Sequence, residues 1–219
     1  MTESQPTRER LVLAAMELFH EKGYEATGLK QILEKAKVNS GSLYYFFKTK
    51  EDLLLAVLDK YADLLDPTVM QPAFEGESDP IERIFAVLEG YGRGLQETGF
   101  TRGCPIGNLA LEVADSRPAI REKIALNFSN WCKAIESCLD AAADRLPVDA
   151  DRRGLSRFVL TVMEGGIMQA RAHRSREPYD AGVAMLRAYF NRLLVAEPCG
   201  PTKQRKNRSS RDGNDRDRR

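Results

Sequence analysis

Polar and aromatic residues succeed one another between residues 38 and 50, in a pattern that suits contact with a nucleic acid. Asn39 or Ser40 can cap a short helix, and small residues at its exposed start let it approach base edges closely. Two tyrosines follow, which can meet a thymine methyl or a phosphate, whereas Phe46 beside them offers no hydrogen bond and is assigned no contact. Lys50 opens the next helix, where backbone N–H groups favour an anion, as they also do beside Thr27 at the start of the helix before. The candidate DNA-contacting residues are Thr27, Lys37, Asn39, Ser40, Gly41, Ser42, Tyr44, Tyr45 and Lys50.

The charge of the chain favours this stretch only locally. The formal net charge is +1, so a protein that is basic over its whole surface is excluded. Between residues 30 and 50, however, five lysines face one acid, Glu34. Residues 203–219 hold eight basic side chains and three aspartates, in a segment without apolar residues. We expect binding to rest on the first cluster, and the second to be a solvated tail that could add nonspecific attraction.

Apolar residues at helical spacing predict three short helices up to the end of this stretch. The first runs from Thr7, which can cap it, to Gly23, which can end it. The second begins at Thr27 as its N-cap, and the third is the stretch just described, ending near residue 47. Three short helices joined by tight turns indicate a helix-turn-helix unit.

The rest of the chain also reads as helix. A capping box at Thr49–Asp52 opens a fourth helix, which Pro67 is expected to end before a loop that reaches Pro80. No segment shows strand alternation bounded by hairpin turns, so the predicted fold is all-α with about nine helices. The later helices are expected over residues 81–99, 108–114 and about 118–145, then after Pro147 to about residue 175, and from about residue 178 onward.

This layout divides the chain into four parts. Residues 1–50 are the helix-turn-helix domain, and residues 51–66 form a connecting helix. Residues 67–197 make a larger helical domain, and residues 198–219 are expected to be a disordered basic tail.

The larger domain carries apolar and aromatic side chains with a few polar ones between them. Most should be core, yet any ligand pocket, typically roughly 300 to 1,000 Å³, would have to be lined by this set. Gly165 and Gly166 lie inside a predicted helix, where either another helix packs closely or the backbone leaves room for a ligand. The candidate ligand-binding residues are Tyr91, Cys104, Leu109, Phe128, Trp131 and Met163.

Cys104 is the sharpest of these candidates. It lies between Gly103 and Pro105, just before a short helix and near Arg102, a setting that could lower the pKa of its thiol and favour attack on electrophiles. The alternative is an inert, packed cysteine. The four cysteines are irregularly spaced, which favours reduced thiols over a disulfide framework.

Other function classes find little support. The chain has two histidines and contains no Gly-x-Ser-x-Gly elbow, paired-histidine metal motif or Gly-rich phosphate loop, so we expect neither an enzyme nor a cofactor. A helical interaction module that does not bind DNA remains the rival interpretation. The polar N-terminus does not resemble a secretory signal, and no apolar run is long enough to span a bilayer, so a cytoplasmic protein is expected.

Residues 27–53 resemble the TetR family of bacterial transcriptional regulators. The resemblance rests on a threonine at the second helix, the run Val38-Asn39-Ser40-Gly41-Ser42-Leu43-Tyr44-Tyr45 with its aromatic pair, and Lys50-Glu51-Asp52-Leu53. The run from Gly103 to Ala110 is similar to a motif of a subgroup whose members often sense small reactive or organic compounds.

The resemblance implies a homodimer that places two recognition helices in successive major grooves of a palindromic operator. It also implies that DNA is released when a small organic or electrophilic effector enters the larger domain. Repression is the expected mode of regulation. In this family the last two helices of each subunit form a four-helix bundle. The dimer residues that this implies are Phe158, Val162, Leu186, Phe190 and Leu193.

Overall fold

The computed structural model describes residues 6–195, and within that range it contains helices, turns and loops but no strand. Nine of the helices within residues 6–195 have seven or more residues, which confirms the predicted all-α class. The expected basic tail, residues 198–219, lies outside the described residues. The helices are α1 (Thr7–Lys22), α2 (Leu29–Ala36), α3 (Ser40–Phe46), α4 (Lys50–Leu65), the single turn α5 (Gln71–Phe74), α6 (Pro80–Glu97), α7 (Pro105–Val113), α8 (Pro118–Ala141), α9 (Arg152–His173) and α10 (Glu177–Val195).

The N-terminal unit forms around the apolar face of α1, against which α2, α3 and α4 pack. Of the two predicted caps of α3, Asn39 is the one observed, because its side chain accepts a hydrogen bond from Ser42 N at 2.9 Å. The capping box of α4 is also present: Thr49 Oγ1 accepts from Asp52 N, and Asp52 Oδ2 accepts from Thr49 N. These paired caps fix the angle at which α3 projects from the unit.

Two predicted N-caps are wrong. Thr7 is the first residue of α1, and Pro6 occupies the cap position. Gly28 rather than Thr27 caps α2, since the backbone N–H of Gly28 donates to Gln31. The Thr27 hydroxyl instead donates to the carbonyl of Gly23 at 2.7 Å, so this side chain closes the preceding turn.

Three other boundaries differ from the predicted ones. Pro67 does not end the helical path after α4, because a π-helical turn over Asp66–Met70 carries the chain on into α5. Helix α7 begins at Pro105 and not near residue 108, since proline is well suited to the first position of a helix. Helix α8 ends at Ala141, and a 3₁₀ turn over Ala143–Arg145 follows it.

The larger body is built by α6 and α8–α10, with α4 lying along α8. At the crossing of α9 and α10, a Cβ on Gly166 would lie only 2.9 Å from the Tyr179 ring. The Tyr179 hydroxyl then reaches across to donate to the carbonyl of Leu88 on α6 at 2.7 Å. Close helix packing therefore explains Gly166, one of the two interpretations left open by the sequence. No described helix has both the length and the apolar character needed to cross a membrane.

Candidate DNA-binding surface and ligand cavity

Helix α3 exposes the side chains that the sequence assigned to DNA. Tyr45 is 77% exposed and Tyr44 is 52% exposed, although an aromatic residue in a three-helix unit gains stability from burial. Ser40 and Gly41 are exposed at the start of the helix, and Ser42 is half-buried beside them. The exposed side of α3 therefore presents small polar groups in its first turn and two phenol rings in its last turn.

Phe46 belongs to this surface although no contact was assigned to it. It is 39% exposed, and its ring meets that of Tyr45 edge to face, with the centroids 4.9 Å apart. Such a contact limits the positions available to the Tyr45 ring. Phe46 thus orients a neighbour on the surface, a role that its lack of a hydrogen-bonding group had hidden.

The side chains of Thr27 and Lys50, which were predicted to contact phosphates, bond to the protein instead. Thr27 is completely buried, so its hydroxyl cannot reach a phosphate in this conformation. The Lys50 ammonium donates to the Tyr24 carbonyl and lies 4.1 Å from the centroid of the Tyr24 ring. Burial lowers the pKa of Lys50, and the nearby Glu25 and Glu112 offset only part of this lowering. Its side chain thus ties α4 to the turn after α1.

Other lysines remain available around α3. Lys37 is exposed and ends α2 with a left-handed backbone at φ 54°. Lys48 is exposed one residue after Phe47, where its ammonium donates to the Tyr44 carbonyl at 3.1 Å on the surface. Lys35, by contrast, forms an ion pair with Glu17 at 2.6 Å. Lys37 and Lys48, two of the five lysines counted in the sequence, therefore lie before and after α3 and can meet phosphates on either side of a groove.

Helix α7 joins the N-terminal unit to the body at both of its ends. At its C-terminal end, the Glu112 carboxylate accepts hydrogen bonds from the backbone N–H groups of Tyr24 and Glu25, at 2.9 and 2.7 Å. Just before its N-terminal end, the Gly103 carbonyl lies 2.7 Å from His20 Nε2 on α1. A displacement of α7 therefore acts directly on α1 and on the turn that follows it.

A cavity of about 250 Å³ lies inside the body, between α4, α6, α7, α8 and α9. Five of the six predicted ligand residues line it, namely Tyr91, Cys104, Phe128, Trp131 and Met163. Leu109 does not, because it is buried on α7 in the core. The sequence missed polar and aromatic members of the wall on α4, α8 and α9, namely Tyr61, Asn127 and Glu164.

The Cys104 thiol is a packed group and not an activated one, so the structure favours the second of the two interpretations, an inert cysteine. Its sulfur accepts a hydrogen bond from Gly107 N at 3.4 Å and so caps α7. Burial raises the pKa of Cys104, and the neighbouring Glu164 charge raises it further. Arg102 pairs with Glu21 on α1, so its charge is engaged there. The thiol keeps its proton at neutral pH.

Glu164 is the polar centre of the cavity wall. A Cβ on Gly107 would lie 2.5 Å from Glu164 Oε2, so the glycine of α7 makes room for this carboxyl. The other oxygen, Oε1, is buried and has no hydrogen-bond partner among the described residues. Burial raises the pKa of Glu164, while the Cys104 thiol lowers it. A single acid in the apolar run from Leu160 to Ile167 was the sequence signal for this residue.

We expect Glu164→Gln to remove a pH dependence of stability. The folded pKa lies above the ordinary value of 4.5, so the folded protein holds this proton more tightly than the unfolded chain does. As pH rises past 4.5, the unfolded chain ionises first. Urea unfolding of the wild type should therefore show a free energy that falls relative to the variant, until the folded carboxyl has also ionised.

The control is Glu122→Gln, which changes an exposed acid on α8. It should leave the pH dependence of the wild type in place. A difference between wild type and Glu164→Gln that stays constant, or that grows in favour of the wild type as pH rises, would contradict the assigned direction.

Two of the predicted dimer residues face the core of the subunit. Leu186 is 2% exposed and Phe190 is fully buried, with its ring 5.8 Å from that of Phe85. Helix α10 therefore uses this apolar face within its own subunit. Phe158 stays on the surface at 43% exposure, while Val162 and Leu193 are partly buried.

A different apolar surface remains open on α9 and α10. Tyr189 is 46% exposed, and its ring lies 5.7 Å from that of Phe158. Met185, one helical turn earlier, is 71% exposed. We call Phe158, Val162, Met185 and Tyr189 the α9–α10 patch. Met185 and Tyr189 were missing from the predicted set, although their spacing of four residues places them on one face.

Comparison with known proteins gives the family. The description "Bacterial regulatory proteins, tetR family" matches residues 11–57, and "Tetracyclin repressor-like, C-terminal domain" matches residues 80–186. The HTH-type transcriptional repressor DhaR of Mycobacterium sp. (strain GP1) is 27% identical over 191 residues, which span 86% of this chain and 93% of DhaR. The transcriptional repressor NemR of Escherichia coli (strain K12) is 23% identical over 180 residues, or 81% of this chain and 90% of NemR.

Solved structures agree with this assignment. The regulatory protein TetR from Rhodobacter sphaeroides superposes with a TM-score of 0.74 at 26% identity, over 82% of this chain and 96% of that one. Reduced E. coli NemR gives a TM-score of 0.76 at 23% identity, over 83% and 95% of the two chains, and supports the fold. With its helix-turn-helix unit and its C-terminal body both matched, the chain belongs to the TetR family of DNA-binding transcriptional regulators.

Proposed function

We propose that the protein is a ligand-responsive repressor that binds a palindromic operator as a homodimer. The observation that carries this proposal is the exposed side of α3, where Tyr44 and Tyr45 are accessible to solvent, as are Ser40 and Gly41 one turn earlier. Small residues let the helix enter a major groove, and the phenol groups can then reach base edges or phosphates. The relatives named as repressors, DhaR and NemR, favour repression over activation.

Lys37, Asn39, Ser42 and Lys48 complete the proposed DNA surface. The two lysines would neutralise phosphates, which positions α3 without reading sequence. Asn39 holds the first turn of α3 through its cap, and Ser42 lies one turn from Tyr45. Thr27 and Lys50 act on this surface through the structure of the unit, because Thr27 is completely buried and the Lys50 ammonium is held against the carbonyl and the ring of Tyr24.

A homodimer is supported by the α9–α10 patch. One α3 reads only a few base pairs, so two half-sites are needed for specific affinity. A two-fold pair of α9–α10 hairpins would cover Phe158, Met185 and Tyr189, which a monomer leaves exposed. The dimerisation region would then lie within residues 67–197, as the proposed division into residues 1–50, 51–66 and 67–197 requires.

The effect of ligand binding in the cavity would be transmitted to the DNA-binding unit through two helices, α4 and α7. Tyr61, Leu64 and Leu65 of α4 form part of the cavity wall, and the Tyr61 hydroxyl donates to the carbonyl of Met16 on α1. Helix α7 gives the second route, since Cys104 lies in the cavity and Glu112 holds the turn after α1. A ligand that favours one position of these helices would change the separation of the two α3 helices in a dimer.

The effector would be a small organic molecule. An electrophile is the alternative within this class. In that case the sulfur of Cys104 would add to the carbon–carbon double bond of an α,β-unsaturated carbonyl compound, and the thiol proton would pass by way of the neighbouring Glu164 carboxylate to the carbon next to the carbonyl. Alkylation of Cys104 before the effector is added separates the two alternatives, because only an electrophilic effector requires the free thiol. Equal operator release from the wild type and from Cys104→Ser would rule out the thiol as the sensor.

A mobility shift with duplexes that flank the protein's own gene tests the proposed function. We expect a shift at low salt that weakens as salt rises, because counterions are released on binding. The control is an unrelated duplex of the same length, which should need higher protein concentrations. If no flanking duplex shifts even at low salt, the rival interpretation of a helical module that does not bind DNA is favoured.

A further inference from the structure

Two buried polar atoms in the wall of the cavity lack partners. Glu164 Oε1 on α9 and Trp131 Nε1 on α8 are each shielded from solvent and make no hydrogen bond among the described residues. The Tyr91 hydroxyl lies beside the Trp131 indole but does not meet hydrogen-bond geometry with its N–H. Trp131 is only 4% exposed, so the cavity is the direction from which a partner can come. A buried polar group without a partner costs free energy, which a ligand with matching groups would recover. Glu164 Oε1 needs a hydrogen-bond donor, and the N–H of Trp131 Nε1 needs an acceptor.

The charge at Glu164 is not balanced by the protein. Of the described residues that line this cavity, none is Lys, Arg or His. Arg171 borders an adjoining cleft together with Glu164, but its guanidinium donates to Asn108. Other polar groups of the wall are already engaged: Asn127 donates its amide to the carbonyls of Leu58 and Lys123, and the Tyr61 and Thr68 hydroxyls donate to backbone carbonyls. The Cys104 thiol is a weak donor at most. An ionised Glu164 would therefore be a buried charge without a counter-ion, unless the ligand brings one.

Aromatic rings make up much of the remaining wall. Tyr61, Tyr91, Phe128 and Trp131 all line the cavity, together with Leu160 and Met163. Faces of aromatic rings attract cations, and the attraction is stronger in a site that excludes water. The same rings pack well against a flat, apolar ligand body. A carboxylate among aromatic rings suits an organic cation better than it suits an anion.

The volume limits the size of such a molecule. Since an apolar cavity of about 150 Å³ is enough for benzene, the 250 Å³ here would hold roughly ten non-hydrogen atoms. We propose that the effector is a small aromatic or alkyl amine, with its ammonium group on Glu164 and an oxygen acceptor for Trp131 Nε1. This inference rests on the proposed ligand-responsive function, and it narrows the effector to one chemical class.

Trp131 makes the proposal easy to test, because it is the one tryptophan of the chain and its fluorescence reports on the cavity. The full-length protein is titrated at neutral pH with tyramine, tyrosol and para-hydroxyphenylacetate. These probes share a phenol ring and differ in their terminal group, which is a cation, a neutral hydroxyl or an anion. We expect tyramine to change the emission of Trp131 with an affinity roughly tenfold or more above that of tyrosol, with the anion weakest.

Glu164→Gln keeps the shape of the side chain and removes its charge. We expect the preference for tyramine over tyrosol to disappear in this variant, and to persist in the exposed control Glu122→Gln. Equal binding of the three probes, tighter binding of the anion, an unchanged preference in Glu164→Gln, or no response to any probe would each overturn the amine assignment. No DNA is present in this titration, so its outcome is separate from the mobility shift that tests the proposed function.

Discussion

Tyr189→Glu should convert the protein from a dimer to a monomer and lower its affinity for a two-half-site operator by about a hundredfold or more. Tyr189 is 46% exposed and touches Phe158 at the centre of the α9–α10 patch. In the proposed dimer, a glutamate there would place two like charges in an apolar interface, where neither has a counter-ion. The linked half-sites then lose the gain in affinity that comes from binding together.

Sedimentation equilibrium gives the oligomeric state, and titration of a labelled operator gives the affinity. The matched control is Leu126→Glu, which introduces the same charge at a residue of α8 that is 44% exposed and outside the α9–α10 patch. It should remain dimeric. A Tyr189→Glu variant that stays dimeric and binds the operator as the wild type does would show that the interface lies elsewhere.

Tyr45→Ala should weaken operator binding by roughly ten- to a hundredfold and leave the melting temperature unchanged. A side chain that reads a base edge contributes about 1 to 3 kcal/mol of discrimination. Tyr45 is 77% exposed, and its main contact within the protein is the edge of Phe46, so little stability depends on it. Affinity for an unrelated duplex should change much less than affinity for the operator.

Lys48→Ala supplies the matched comparison for this surface. Lys48 is exposed at the end of α3, and the loss of one phosphate contact should weaken binding to every duplex and reduce the salt slope by about one unit. Salt titrations of both variants on operator and unrelated DNA separate the two effects. Equal losses on both duplexes for Tyr45→Ala would mean that this ring does not read sequence.

Local chemistry explains why the ends of α3 and α4 could be predicted from the sequence. The caps at Asn39 and at Thr49 depend on side chains that bond to backbone within three residues. Thr27 failed as a cap because its hydroxyl found a closer acceptor in the carbonyl of Gly23, four residues earlier. Threonine next to glycine offers both possibilities, and only the course of the turn decides between them.

The two apolar faces of α10 could not be assigned from periodicity alone. Residues spaced by three or four lie on a common face whether that face meets its own subunit or a partner. Phe190 packs against Phe85, more than a hundred positions earlier in the chain, and this long-range contact turned the Leu186 face inward. Met185 and Tyr189 were left on the surface as a consequence.

The chemistry of the cavity was also beyond the sequence, because it depends on contacts between distant helices. Cys104 lay near Arg102 in the chain, which suggested an activated thiol. In the fold, Arg102 pairs with Glu21, and Glu164 from α9 is the charged group beside the sulfur. The neighbour that sets the properties of the thiol is sixty positions away, so no local pattern could have indicated it.

The most direct test of the central claim is a selection of duplexes from a random pool by the purified full-length protein. A homodimer that reads DNA with the exposed side of α3 should enrich an inverted repeat, with half-sites about 34 to 36 Å apart or a multiple of that distance. The selected duplex should bind one dimer. Failure to enrich any sequence at low salt, or enrichment of a single half-site bound by one subunit, would contradict the account.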